Sequence, residues 1–343
     1  MSFEFFISRR YLKSRQKQAF ISLITLLSMA GVTIGVMALI VVIAVMAGFE
    51  SDMKSRILGV ESHVIVFRSG GAFRDYPQVI QKIKQIPEVA SATPFVFTQA
   101  MMRASSGLSG AMVRGIDPAT AGEVIKALDP ADLKRLAASE TGQGPEVPGV
   151  ILGRQLAKTL GVGAEDMVFV ISPRMMISPV GHIPVMKKFK VAGFFESGIY
   201  DYDSSMAYIH LTEAQKILRL EGAVTGIEVQ LKDAYKAGEV ATRLGHDLGA
   251  PYWARDWTQM NQTLFSALKL EKTVMFIILT LIVLVAAFNI ASTLIMVVME
   301  KTRDIAILKA MGASNRQVRK IFVLKGLMIG AVGTLTGEML GYG

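Results

Sequence analysis

The sequence predicts an integral membrane protein: a bundle of α-helical transmembrane spans with a large α+β domain inserted between spans 1 and 2. Three observations carry this. Hydrophobic residues make up 51% of the 343-residue chain and charged ones 19%, whereas soluble domains hold about 25% charged residues. No charge falls between Lys17 and Glu50, or between Lys272 and Glu300. Each run exceeds the roughly 20 apolar residues that cross a bilayer core. Between the runs the short periodicities of a water-exposed α+β domain return.

Residues 1–19 read as a basic amphipathic elbow on the cytoplasmic face, with Phe3, Phe6 and Ile7 beside Arg9, Arg10 and Lys13. Residues 20–49 form the first span. A cleaved signal peptide is the competing reading, but the apolar run is too long for one and Ala44-Val45-Met46 offers no small-x-small cleavage pattern. Gly31 and Gly35 give that span a GxxxG face for a neighbouring helix. Residues 50–60, with Met53, Ile57 and Leu58 among charges, continue the helix as a stalk.

Residues 61–257 form the α+β domain, read as two subdomains. Strands are expected at 63–68, 89–97, 101–103 and, after a turn at 107–110, at 111–116. A helix is expected at 77–86, a polar helical stretch at 117–139 and a loop at 141–148. A second set follows, with strands at 150–152, 167–172, 189–195, 206–210 and 225–231. Its helices lie at 155–160, 212–220 and 234–248, before an extended 251–257. Thr212 and Gln215 have the spacing of a capping box. Residues 173–187 read as a hook-like loop. It holds Pro173, Pro179 and Pro184, Gly181, and apolar Met175, Met176 and Ile177. Two strands need far fewer residues to turn, so a stiff apolar loop of this length suits docking to a partner; a disordered loop is the alternative.

Residues 258–299 form a stalk and the second span. A short helix follows at 300–314, which Gly312 can end. Residues 315–343 form a third span carrying Gly326, Gly330, Gly333 and Gly337, and the sequence stops within it. Basic residues cluster at 1–19 and after Glu300, while the stretch between is nearly balanced in charge. Lys and Arg stay on the cytoplasmic side of spans, so both clusters lie inside and the large domain outside. The net charge of +9 therefore marks orientation, not nucleic-acid binding.

Catalytic chemistry is missing from the sequence. The chain lacks cysteine, a P-loop and a G-x-S-x-G elbow. His63, His182, His210 and His246 have no ligand spacing, and Glu196, Asp201 and Asp203 read as a solvated turn rather than a metal site. No catalytic residue and no metal site is expected.

Three segments carry a family resemblance: VMALIVVIAVMAGFE (36–50), VAAFNIASTLIMVVMEKTRDIAILKAMGAS (285–314) and the SP-x-GHIP stretch at 178–184. With them the chain resembles the LolC/LolE lipoprotein-releasing permeases, of the MacB/FtsX-type superfamily. The resemblance implies a MacB-like periplasmic core domain and a multi-pass protein of the bacterial inner membrane, non-catalytic and without a cofactor of its own. A separate LolD-like ATPase would bind ATP and Mg, and a second permease subunit would complete the transporter. Triacylated lipoproteins, drawn from the outer leaflet among membrane lipids, would pass to the periplasmic chaperone LolA. By matching positions, Val42, Val45, Met46 and Phe49 would contact the lipoprotein. Arg174, Met175, Met176, Ile177, Pro179, Gly181, Pro184 and Lys187 would form the hook for the chaperone. Glu300, Lys301, Asp304, Ala306, Leu308, Lys309 and Gly312 would belong to a coupling helix docked on the ATPase. The departures are the fourth span, which this sequence does not contain, Glu338 in the third span, Asp304 where glutamate is common, and Ala47 where one branch has asparagine. A MacB-like efflux permease and an FtsX-like scaffold that activates a cell-wall hydrolase are the alternatives.

Overall fold

The structure is a computed structural model that describes residues 19–138, 147–178 and 181–343, with side chains described from 26 to 138, 147 to 172 and 184 onward. The elbow expected at 1–19 and the loop at 141–148 lie almost wholly outside the described residues, as does Pro179. The chain divides into a helical unit, 1–51 with 266–343, and an α+β unit, 52–265.

The helical unit is built on α1 (Ala19–Val60), α10 (Gln262–Glu300), α11 (Thr302–Ala310) and α12 (Asn315–Gly341). Two of the described helices are long and apolar enough to cross a membrane, Leu26–Val60 and Gln262–Glu300. The third expected span is a helix too, but it carries Lys325 and Glu338 and is not among those two. Glycines set the packing. A Cβ added to Gly337 would lie 2.7 Å from the Thr33 carbonyl oxygen and 2.8 Å from Val36 Cβ. Gly333 and Gly341 meet Val32 and Ile40 in the same way, so α12 lies backbone-close against α1. Thr33 Oγ1 ties this seam with a 2.8 Å hydrogen bond to Thr336 and another at 3.2 Å to the Gly333 carbonyl. On another face of α1, Gly31 and Gly35 approach Asn289 and Ile282 of α10, and Ser28 hydrogen-bonds Thr293. Gly330, in the same glycine series, faces open space.

The α+β unit contains nine strands among the described residues: β1 (Val64–Arg68), β2 (Val89–Arg103), β3 (Leu108–Ile116), β4 (Gly149–Gly153), β5 (Met167–Ser178), β6 (Gly181–Phe195), β7 (Met206–His210), β8 (Gly226–Leu231) and β9 (Tyr252–Asp256). They follow the order β3-β7-β4-β6-β5-β2-β8-β1-β9, and β2 also pairs with β3. The first six therefore close into a ring, which leaves those strands without free edges along their paired lengths. β2 makes this possible by being long. Its first half pairs with β8, from Val89↔Leu231 to Phe95↔Gly226, and its second half pairs with β3. Its last residues also meet β5 at Met101↔Ile171. The two separate strands expected at 89–97 and 101–103 are this one element, and β3 starts at Leu108 where a turn was expected.

Helices α2 (Tyr76–Lys84) and α8 (Ala237–Leu248) turn Val79, Ile83, Val240 and Leu244 into the main core, and α7 (Leu211–Leu218) adds Leu211, Ala214 and Ile217. A second core gathers Val60, Ile116, Val124, Ile125, Leu136, Phe195 and Tyr208. It contains α3 (Pro118–Ala121) and α4 (Pro130–Ala138). The polar helix expected over 117–139 is thus two short helices around a buried Val124-Ile125 turn.

Short elements fill the rest: α5 (Arg154–Leu160), α6 (Tyr200–Ser205) and α9 (Trp257–Met260). The helix α6 replaces the solvated turn expected around Asp201. Asp203 is buried, and its carboxylate accepts from the Ser197 and Gly198 amides at 2.7 and 3.2 Å. The capping box expected at Thr212 is displaced as well. His210 is the cap of α7, its Nδ1 accepting from the Thr212 amide at 3.3 Å, so Thr212 already lies inside the helix.

Candidate functional site

Three regions answer to the expected roles, and each is built differently. The first is an apolar groove of about 280 Å³ between α1 and α10. Val42, Ile43, Met46 and Ala47 line one wall and Leu268, Met275, Phe276 and Leu279 the other. Val42 and Met46 are a helical turn apart, so they project to one wall. Val45 and Phe49, expected to act with them, do not line it; they are exposed on the adjoining surface, Val45 at 62%. One end of the groove is charged. Lys272 Nζ lies 2.7 Å from Glu50 Oε2, and Glu271 is beside it. A slot with apolar walls and an ion pair at one end suits an aliphatic chain carrying a polar head.

The second is the short helix α11. Glu300, placed in it by sequence, is the last residue of α10 instead. Lys301 caps α11 and pairs with Asp304 at 2.9 Å. At its far end Gly312 takes φ +95°, a conformation that glycine adopts without strain. The Ala313 amide bonds the Leu308 carbonyl and the Gly312 amide bonds that of Lys309, which together make a Schellman stop. Ile305 packs with Val297, Val318 and Phe322, anchoring one face of the helix. Ala306 and Lys309 are exposed, while Leu308 is half-buried. The sequence reading missed Ile307 and Met311, the large apolar side chains that α11 and its cap expose, at 53% and 71%. Their four-residue spacing was the available signal.

The third is the hook. The strands do not end at 172 and 189: β5 runs on to Ser178 and β6 begins at Gly181, so the described residues of 173–187 form the paired strands of a hairpin arm. Its register is Met175↔Pro184, Met176↔Ile183 and Ile177↔His182, after an irregularity between Ile171 and Met175 where Pro173 sits. Prolines signalled a loop because they cannot donate to a ladder. Among the described residues, beyond Ile171 each strand of the arm pairs only with the other, so each has a free edge where proline is tolerated. Pro184 and Met186 are exposed. Lys187, expected as a chaperone contact, points back and pairs with Glu213 of α7. Glu213 is partly buried, which would raise its pKa, but hydrogen bonds from Lys187 and Lys216 outweigh burial and hold the carboxyl low.

Among the described residues no group of three or more His, Asp or Glu could hold a metal ion. His63 is buried and accepts the Leu231 amide at 3.0 Å through Nδ1; burial, then Lys126, lowers its pKa. His210 serves as a helix cap, and His246 is exposed.

The sequence is similar to known proteins. The family described as MacB-like periplasmic core domain matches residues 25–246, and FtsX-like permease C-terminal matches residues 276–343. The lipoprotein-releasing system transmembrane protein LolC of Xylella fastidiosa is 36% identical across 98% of this chain and 80% of its own length. A protein of the same name from Neisseria meningitidis serogroup B is 37% identical across 99% and 81%. The lipoprotein-releasing system transmembrane protein LolE of Haemophilus influenzae is 30% identical across 99% and 82%.

Proposed function

Because this chain belongs to the LolC/LolE family of lipoprotein-releasing system transmembrane proteins, we propose that it is the permease subunit that lifts acylated lipoproteins out of the inner membrane and passes them to the chaperone LolA. It is a membrane protein with a periplasmic domain. The chain supplies a path and a lever, and ATP is hydrolysed in a separate LolD-like subunit. Each buried CH₂ is worth about 0.8 kcal/mol, so drawing three acyl chains from the bilayer costs tens of kcal/mol and needs both a driven machine and an apolar acceptor.

The groove between α1 and α10 is the observation that carries this reading. Val42 and Met46 in its wall offer acyl chains an apolar surface, and the Glu50–Lys272 pair can meet the polar part of the cargo. Val45 and Phe49 extend that surface toward a second permease subunit. On the cytoplasmic side α11 is the coupling helix, presenting Ala306, Ile307, Lys309 and Met311 to the ATPase. The arm with Arg174 to Pro184 is the chaperone contact; Lys187 stiffens its root through Glu213 rather than touching the chaperone.

Reconstitution tests this. Vesicles holding the permease, its ATPase and a labelled triacylated lipoprotein should release the label only when ATP and LolA are both present. Pro179→Glu should keep ATP hydrolysis but lower release to the level seen without LolA. Release by the native protein with ATP and no chaperone would overturn the reading.

A further inference from the structure

One polar side chain of α10 stands outside the roles above. Asn289 lies well within the uncharged run between Lys272 and Glu300. At about 1.5 Å of rise per residue it is about 16 Å from Glu300 along the helix axis, half of a bilayer core of about 30 Å. It is exposed at the edge of the contact between α10 and α1, where its Nδ2 lies 3.1 Å from the place that a Cβ on Gly31 would take. Its polar neighbours in the bundle are satisfied. Thr293 is buried against Ser28, Thr33 bonds Thr336, and Thr280 Oγ1 donates to the Phe276 carbonyl at 2.8 Å. Asn289 has no hydrogen-bond partner among the described residues.

Asn289 belongs to a line of residues along the free side of the helix. Ile278, Val285, Asn289, Ser292, Met296 and Met299 follow one another at steps of seven, four, three, four and three, so they share one side. All six are exposed, Val285 at 59% and Met299 at 72%. Any helix carries such a line on its free side, and for the apolar members lipid is partner enough. The amide needs more. Hydrocarbon supplies neither donor nor acceptor, so a carboxamide held there is costly until it is bonded. It carries two N–H donors and a carbonyl acceptor, and an identical group turned by a two-fold axis offers what each lacks. Steps of three and four are also those of helices packed at a shallow left-handed crossing, where a single Asn on the seam fixes register and the number of helices. Ser292, one turn on, is small enough to let the backbones come close.

We propose that α10 pairs along this line with α10 of a second copy of the chain, the two Asn289 amides bonded to each other near the middle of the membrane. This rests on the reading of the chain as a permease that works beside a second subunit, and it supplies the surface on which the two meet.

The chain has no native cysteine, so single cysteines report contact directly. In vesicles holding the full chain, mild oxidation should join copies of Ser292→Cys into a disulfide dimer and leave Ala291→Cys unlinked. Ala291 lies at the same depth, is exposed and faces another side of the helix. Energy transfer between donor- and acceptor-labelled copies, labelled at the exposed Glu221→Cys, then measures association. Asn289→Leu should weaken it by about 5-fold, the size of one interhelical hydrogen bond in a bilayer. Asn289→Gln, which keeps a carboxamide, should restore most of it. Leucine suits hydrocarbon better than asparagine, so the leucine variant keeps its fold, which an unchanged helical circular-dichroism spectrum checks. Equal linking at both cysteine positions, linking at neither, or undiminished association by Asn289→Leu would overturn the proposal. Release of lipoprotein is measured apart. A native protein that pairs through Asn289 but releases nothing fails as a permease and keeps this interface; one that releases without such pairing keeps the role and loses the interface.

Discussion

His63 illustrates how one side chain links burial to pH. It sits in the folded domain as a neutral ring accepting the Leu231 amide, with Nε2 3.2 Å from the Gln230 amide nitrogen, and burial lowers its pKa. With the folded value below the unfolded one, the unfolded chain binds the extra proton as pH falls past about 6.5. Stability is therefore lost on the acid side of that value and kept above it. Melting followed from pH 7.5 to 5 should show a steeper fall for the native protein than for His63→Gln, although the variant starts lower because it loses a buried acceptor; equal slopes would remove His63 from the account. Thr212 and Ser314 teach a second lesson at this scale. Both begin an S/T-x-x-Q spacing, yet only Ser314 forms the capping box, with Gln317. At Thr212 the preceding His210 reaches the free amide first. Local spacing names the candidates, and the neighbouring chain direction selects among them.

At the scale of elements, α11 has two faces with different duties. Ile305 is part of its anchorage against α12, whereas Ile307 and Met311 project outward. Ile307→Asp should leave the protein inserted and folded but abolish co-purification with the ATPase. Ile305→Asp should instead destabilise the helical unit, because a carboxylate would enter an apolar contact. Normal association by Ile307→Asp would end the coupling role of that face. The hairpin arm makes the related point for strands. The proline-rich stretch 173–187 was legible as a stiff projection with apolar residues, and its strand pairing was not. Proline's missing N–H is a cost only where a partner would use it, and the free edge of the arm has none.

For the whole molecule, orientation is the property on which the functional reading stands. Glu221 of the α+β unit and Met311 beside α11 are both well exposed, and the native chain has no cysteine to confuse labelling. An impermeant thiol reagent supplied from the periplasmic side should label Glu221→Cys in intact cells and Met311→Cys only after the membrane is opened. Labelling of both in intact cells would remove the lever from cytosol to periplasm.

The sequence by itself determined the membrane character, the two long apolar helices, the α+β nature of the inserted domain and the short helix after Glu300. Each of these is written in local periodicity, charge and glycine placement, which read the same in any tertiary context. Only the tertiary structure decided that Val42 and Met46 share a groove while Val45 and Phe49 do not, that Lys187 is tied to Glu213, and that Arg114 pairs with Glu228. Those are contacts between residues distant in the chain. They arise because β2 is long enough to pair on both sides and close a ring, and because glycines let α12 lie backbone-close against α1, neither of which a single segment encodes.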